Sequence, residues 1–293
     1  MKLANEGRHI PILLMFAAFL AFSLQQRDSQ IFAQETAGTQ AKSDTGTIAA
    51  GKFQLRYRIE GTGTPAIVIG SAVYYPRVFS QNLRKRLRLV FLDHRGFAPS
   101  PGPVDTAEFA LDTILDDIER ARKELELGRV AIIGQSGHAL MALEYAKKYP
   151  ANVSQVIMIA NSPNYSAAFL EANNRYWEES VSPERKAILK ENRQRVPDEK
   201  IDSAPPDEQF AKWYIREGPR FWYDPRFDSS PLWEGVQFNR DVYHYVWGRV
   251  FRDIDITQGR DTLIGRYSWR SGVMTSFAGL HLFGTRSGGN SGI

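Results

Sequence analysis

Ser136 is the residue whose type and setting point most directly to chemistry. It stands in Gly134-Gln135-Ser136-Gly137, between an apolar run and a stretch of helical periodicity. Val130, Ala131, Ile132 and Ile133 read as a short parallel strand covered on both faces. Leu140, Leu143, Tyr145 and Ala146 recur at helical spacing, with Ala139 and Ala142 small enough for the helix to lie close to a sheet. A serine on a tight strand-to-helix turn has its hydroxyl raised above the sheet. The amide of the next residue, here Gly137, is then free to stabilise an oxyanion. A Gly-x-Ser triplet alone is an ordinary turn; the strand before it and the helix after it select the nucleophile reading.

Composition excludes other chemistries. The chain has 293 residues, room for one large domain or a core with a cap, and its 43% hydrophobic and 24% charged content is ordinary for an enzyme. The net charge is only +4, and the basic run Arg84-Lys85-Arg86 with Arg88 reads as a solvated helix end, so no nucleic-acid partner is expected. Without cysteine there is no disulfide, thiolate metal site or cysteine nucleophile; no cofactor or metal is expected. Lys2, Arg8 and His9 precede an apolar run from Ile10 to Leu24, followed by Gln25-Gln26-Arg27-Asp28. That pattern fits a secretory signal over residues 1–33 and is short for a membrane span. The protein is therefore expected to be exported, periplasmic or secreted, with an uncleaved anchor as the alternative. Residues 34–50 read as a disordered linker.

The elements that must position Ser136 follow in order. Lys52 to Glu60 alternates as a half-exposed antiparallel strand, and Pro65 to Gly70 is a buried strand. Arg88 to Leu92 is another, leading into Asp93-His94-Arg95-Gly96-Phe97. Thr106 to Leu127 reads as one helix, with Phe109, Leu111, Ile114, Leu115, Ile118 and Leu125 on its apolar face. Gln155 to Ala160 is the next buried strand. Strands alternating with helices predict a doubly wound, mostly parallel sheet.

This order of strand, Gly-Ser loop, D-H-R-G, helix, strand-G-x-S and helix resembles the α/β-hydrolase superfamily. The D-H-R-G-F piece looks like the D-Q-R-G of proline iminopeptidase-type enzymes. The resemblance spans about Gly51 to Leu263 and departs from the G-x-S-x-G pattern at His138, which should crowd the turn unless Gly137 relieves it. It implies a core over residues 51–162, a helical cap over 163–250 and a return to the core over 251–263. It also implies a serine hydrolase acting on a small ester or amide. The loop after the second strand would supply a further oxyanion amide, from Ala72 or Ser71, in place of a His-Gly-Gly sequence. Pro163 to Val250 is aromatic-rich, with Trp177, Trp213, Trp222, Trp233 and Trp247; these are either the cap's own core or, in part, the lining of an apolar pocket. Glu178, Glu179, Glu217 and Glu234 are either solvated or placed to meet a substrate amine.

The base and acid of a triad find no candidate. His9 lies in the signal, His94 in the D-H-R-G loop, His138 on the wrong side of the turn, His244 in the cap and His281 in the tail. Residues 264–293 show no strand, no helical period and no acid, so the C-terminal strands and last helix of the fold are expected to be incomplete. One lost base after the codon for Leu263 accounts for this: back-translation with the base restored can give a buried strand followed by a G-R-Y-D acid loop, and Met274-Thr275 forces an aspartate codon in that frame. The alternative to an active hydrolase is thus an inactive remnant, or a binder of small ligands.

Overall fold

The computed structural model describes residues 44–256 apart from 100, 101, 103, 104, 163 and 165. The expected signal and the aberrant tail lie outside the described residues. The described part holds a six-stranded sheet of order β1-β2-β4-β3-β5-β6. The strands are β1 (Thr45–Ala50), β2 (Phe53–Glu60), β3 (Thr64–Gly70), β4 (Leu87–Asp93), β5 (Val130–Gln135) and β6 (Val153–Ile159). β1, β2 and β4 pair antiparallel; β4, β3, β5 and β6 pair parallel. Chain order reverses at β3, which has β4 on one side and β5 on the other. The crevice for a ligand therefore opens at the carboxyl ends of these strands.

β1 corrects the linker boundary: residues 45–50 form a strand that pairs Thr45 with Arg58 and Ala50 with Phe53. Burial of Ile48 and Ala50 against the core gives this polar stretch a reason to order. β2 alternates buried and open positions as its sequence does. β3 and β5 are buried almost throughout. β6 is not, since residues from Val156 to Ile159 are only half-buried, and among the described residues nothing pairs with its outer edge.

The stretch expected as one helix is two. Thr106–Phe109 is a 3₁₀ turn capped by Asp105, Ala110 is extended, and α2 runs Leu111–Glu124 (α1 is the short Tyr75–Val78). The break lets Phe109 pack edge-on against Phe53. It also brings the Glu108 carbonyl to 2.9 Å from Arg95 Nη1. α3 (Gly137–Lys148) lies beside α2, joined by Tyr145 Oη donating to Glu119 at 2.7 Å. Arg84 is not solvated either; its guanidinium donates to the carbonyls of Phe79 and Pro76.

Residues 166–250 contain only helices and turns: α4 (Ala167–Ser180), α5 (Pro183–Arg195), α6 (Asp198–Asp202), α7 (Pro206–Arg216), α8 (Ser230–Trp233) and α9 (Arg240–Tyr245), with a π turn at Val246–Val250. Ser166, Ser182 and Asn239 cap α4, α5 and α9 through their side-chain oxygens. This segment meets the loops at the carboxyl edge of the sheet. Asn239 N–H donates to the Gly96 carbonyl at 2.8 Å, and Trp233 packs on Tyr74 at 4.5 Å. Its last part is core rather than cap, for Val242, Val246 and Phe251 are buried with the strands.

Candidate active site

Ser136 joins β5 to α3 with φ 54° and ψ −133°, a conformation that L-residues rarely adopt. Strain of this kind costs of order 1–3 kcal/mol and persists only where the surroundings over-determine it. Here they do. Ser136 N–H donates to the Ile159 carbonyl of β6 at 2.9 Å, and its own carbonyl accepts from Ala139 N–H at 2.9 Å. A Cβ on Gly134 would overlap the His138 backbone, so only glycine permits the chain to double back so tightly. The residue itself is exposed while its neighbours Gly137 and His138 are buried.

Gly137 does not relieve His138, as expected from sequence; it makes room for Phe251, whose ring a Cβ at 137 would strike. The room for His138 comes from Gly70 at the end of β3, where a Cβ would lie 3.1 Å from His138 Cε1 and inside the Tyr75 ring. The amide of Gly137 is the first of α3 and has no partner within the helix, which leaves it available to an oxyanion.

The second oxyanion amide is expected from Ala72 or Ser71. Ala72 N–H donates to Asp93 Oδ1 at 2.7 Å, so that amide is already taken. Ser71 is fully buried, and its hydroxyl accepts from the amides of Val73 and Tyr74. Asp93 also receives Arg56 Nε at 2.6 Å. Burial pushes the Asp93 carboxyl up to about 6, with Arg56 and the Ala72 amide pulling the other way. The Asp-His-Arg-Gly loop is thus structural. Arg95 makes a two-pronged ion pair with Asp117 at 2.6 and 3.0 Å and lies over the Phe53 ring.

No described histidine reaches the Ser136 hydroxyl, and among the described residues nothing hydrogen-bonds it. His94 and His138 face each other, Nε2 to Nε2, at 3.0 Å, and His138 Nδ1 lies 2.9 Å from Tyr75 Oη. Burial holds both imidazoles down, His138 to about 3 and His94 well below its ordinary value with help from His138. His244 is exposed and accepts from Arg240. His9 and His281 lie outside the described residues.

The cap residues divide. Glu217 is buried and held by Arg193 at 2.9 and 2.7 Å and by Arg216 at 3.2 Å, so it is not free for a substrate amine. Glu178, Glu179 and Glu234 are exposed. Trp177 and Trp233 are buried in the cap, and Phe210, Tyr214, Phe238 and Tyr243 stack among themselves. Among the described tryptophans Trp247 alone reaches the turn, 5.4 Å from the His138 ring. Two surface depressions, of about 430 and 560 Å³, are lined by Trp177, Lys190 and Arg193 and by Arg56, Asp207 and Trp233; neither touches Ser136. Sequence reasoning missed Tyr75 and Phe251 as parts of this region. The signal that pointed there was the misfit of His138 in its turn.

Comparison with known proteins identifies the family of the fold. Residues 62–193 match the family described as alpha/beta hydrolase fold. The chain is 40% identical over 206 residues to the AB hydrolase superfamily protein YclE of Bacillus subtilis, covering 70% of this chain and 73% of that one. It is 27% identical over 197 residues to a proline iminopeptidase of Heyndrickxia coagulans, with 64% of each covered. Among solved structures, a proline iminopeptidase-related protein of Thermus thermophilus superposes with TM-score 0.48 at 20% identity, over 74% of this chain and 75% of that one.

Proposed function

Because this chain belongs to the α/β-hydrolase superfamily, we propose that it is a serine hydrolase cleaving an ester or amide of a small molecule, with Ser136 as nucleophile. The observation that supports this most directly is the Ser136 backbone, strained at φ 54° yet exposed between a buried strand and a buried helix. In this reading Oγ attacks the carbonyl carbon and its proton passes to a base. The Gly137 amide meets the charge that develops on the carbonyl oxygen, the leaving group departs with a proton, and water then cleaves the acyl-serine. If the chain as given turns over substrate and Ser136→Ala abolishes that turnover, the tail contributes the base and His281 is the first residue to replace.

A second reading is a member of the same lineage that binds small ligands without turnover. It is favoured by the lack, among the described residues, of any partner for the Ser136 hydroxyl, since a serine without a base is a weak nucleophile. A fluorophosphonate probe with a panel of p-nitrophenyl esters and aminoacyl amides separates the two. Proline amides belong in that panel because one relative is a proline iminopeptidase. Labelling and turnover that vanish in Ser136→Ala support the hydrolase; a chain that neither labels nor turns over supports the second reading. Turnover confined to a version with the reading frame restored after Leu263 supports residues 264–293 as an out-of-frame tail. Export directed by residues 1–33 is checked by N-terminal sequencing of protein recovered outside the cytoplasm of a bacterial host.

A further inference from the structure

Tyr75, His138 and His94 form a hydrogen-bonded row sealed between the sheet and the helical segment. Each is at most 5% exposed. Phe97 packs on both imidazoles, at 5.2 and 5.8 Å, and Trp247 lies 6.0 Å from His94 and 5.4 Å from His138. The row draws on the ends of three strands: Tyr75 follows β3, His94 follows β4, and His138 follows β5 by way of Ser136.

One backbone amide sets the protons along it. Gly96 N–H lies 2.9 Å from His94 Nδ1 and can only donate, so that nitrogen is bare and the proton of a neutral His94 is on Nε2. His94 Nε2–H then donates to His138 Nε2 across 3.0 Å, which must be bare in turn. The His138 proton is therefore on Nδ1, directed at Tyr75 Oη, 2.9 Å away. The opposite tautomer of His138 would set two N–H groups against each other at a buried contact.

We infer that His138 is a positioning residue for the nucleophile turn, acting through this one-way row from the Gly96 amide to the Tyr75 hydroxyl. The inference rests on the reading of Ser136 as nucleophile. The row fastens the second residue of α3 to the loops after β3 and β4. Those attachments fix the segment that carries the Gly137 amide, while Ser136 is tied to β6 from the other side. It also explains two departures of this chain from the general motif, which has an imidazole in the β3 loop and glycine two residues after the serine. Here Gly70 and His138 have the reverse, and a side chain at 70 would occupy the space His138 uses.

The test uses the full chain labelled with ¹⁵N histidine and ¹⁵N glycine. The expected spectrum has His94 protonated on Nε2 only and His138 on Nδ1 only; a His138 ring protonated on Nε2 overturns the assignment. Positioning is read from the Gly137 amide resonance and from the rate of fluorophosphonate labelling. Tyr75→Phe, which keeps the ring and removes one hydroxyl, and His138→Ala should both move that resonance and slow labelling, His138→Ala by about tenfold to a hundredfold. His138→Gln, whose amide offers an acceptor towards His94 and a donor towards Tyr75, should recover part of the rate. Folded Tyr75→Phe and His138→Ala proteins with an unmoved Gly137 resonance overturn the inference. Failure of both the native chain and the version with the reading frame restored after Leu263 to label at Ser136 overturns the nucleophile reading instead, and the resonance still decides the positioning role.

Discussion

The Nε2 atoms of His94 and His138 lie 3.0 Å apart in a site closed to water, close enough that one proton serves both. Two neutral imidazoles in this arrangement bond well. Adding a proton to His138 Nε2 charges a desolvated group and destroys the acceptor of His94 Nε2–H, and adding one to His94 Nδ1 charges that ring and destroys the acceptor of the Gly96 amide.

Acid should therefore destabilise the fold through this pair. An unfolded histidine titrates near 6.5, whereas burial holds folded His138 to about 3 and His94 well below its ordinary value. Their contribution is complete above the unfolded value and is lost as pH falls below it, by roughly 1.4 kcal/mol per pH unit for each histidine. Asp93 opposes them. Its folded value of about 6 lies above the unfolded one, so it favours folding as pH falls through the same window. Denaturant titrations between pH 7 and 4.5 should show a shallower loss for His138→Gln than for the native chain. Equal slopes would show that His138 is protonated as readily folded as unfolded.

Gly137 and Phe251 should be coupled. A methyl at 137 meets the Phe251 ring, so Gly137→Ala is expected to cost about 1–3 kcal/mol as an overpacked site. Phe251 is fully buried, and Phe251→Ala opens a cavity at a cost of about 3–5 kcal/mol. The double variant should be more stable than the sum of the two changes predicts, a coupling that a four-member thermal denaturation cycle measures. Strict additivity would place the ring elsewhere.

Asp117→Ala should be among the most destabilising single changes in the core. It leaves the Arg95 guanidinium buried, with Glu108 as its remaining carboxylate, at 3.2 Å. Removing one member of a buried pair costs about 3–5 kcal/mol. Replacing Arg95 by Met together with Asp117 by Leu should recover much of the loss, as seen in the denaturation midpoint. A single variant as stable as the native chain would mean that the pair is open to water.

Hydrogen exchange should distinguish the two strands that flank the turn. β5 is buried and paired on both sides, whereas β6 is half-buried and pairs with β5 along one edge. Amides of Val130 to Ile133 should rank among the slowest to exchange. Those of β6 that point away from β5 should exchange many times faster. Equal protection of both strands would show that another segment covers the β6 edge.

Much of this architecture was legible locally. Alternation in β2, the apolar runs of β3, β4 and β5, and a Gly-x-Ser turn between strand and helix depend on neighbours only a few residues away. The steric rules that act on them operate before the chain is compact. The fit of β1 was not legible, because Thr45–Ala50 is polar and orders only through its register with β2. Nor was the extended Ala110, since the packing of Phe109 and Arg95 overrides an otherwise helical pattern. By itself the sequence determined the family, the position of the serine and the misfit of His138. Tertiary structure decided that the Ala72 amide serves Asp93, that Gly137 faces Phe251, and that His138 turns from Ser136 to meet His94, 44 residues away. Each of those partners is set by which strands lie side by side and by which polar groups burial leaves without water. Spacing along the chain carries neither.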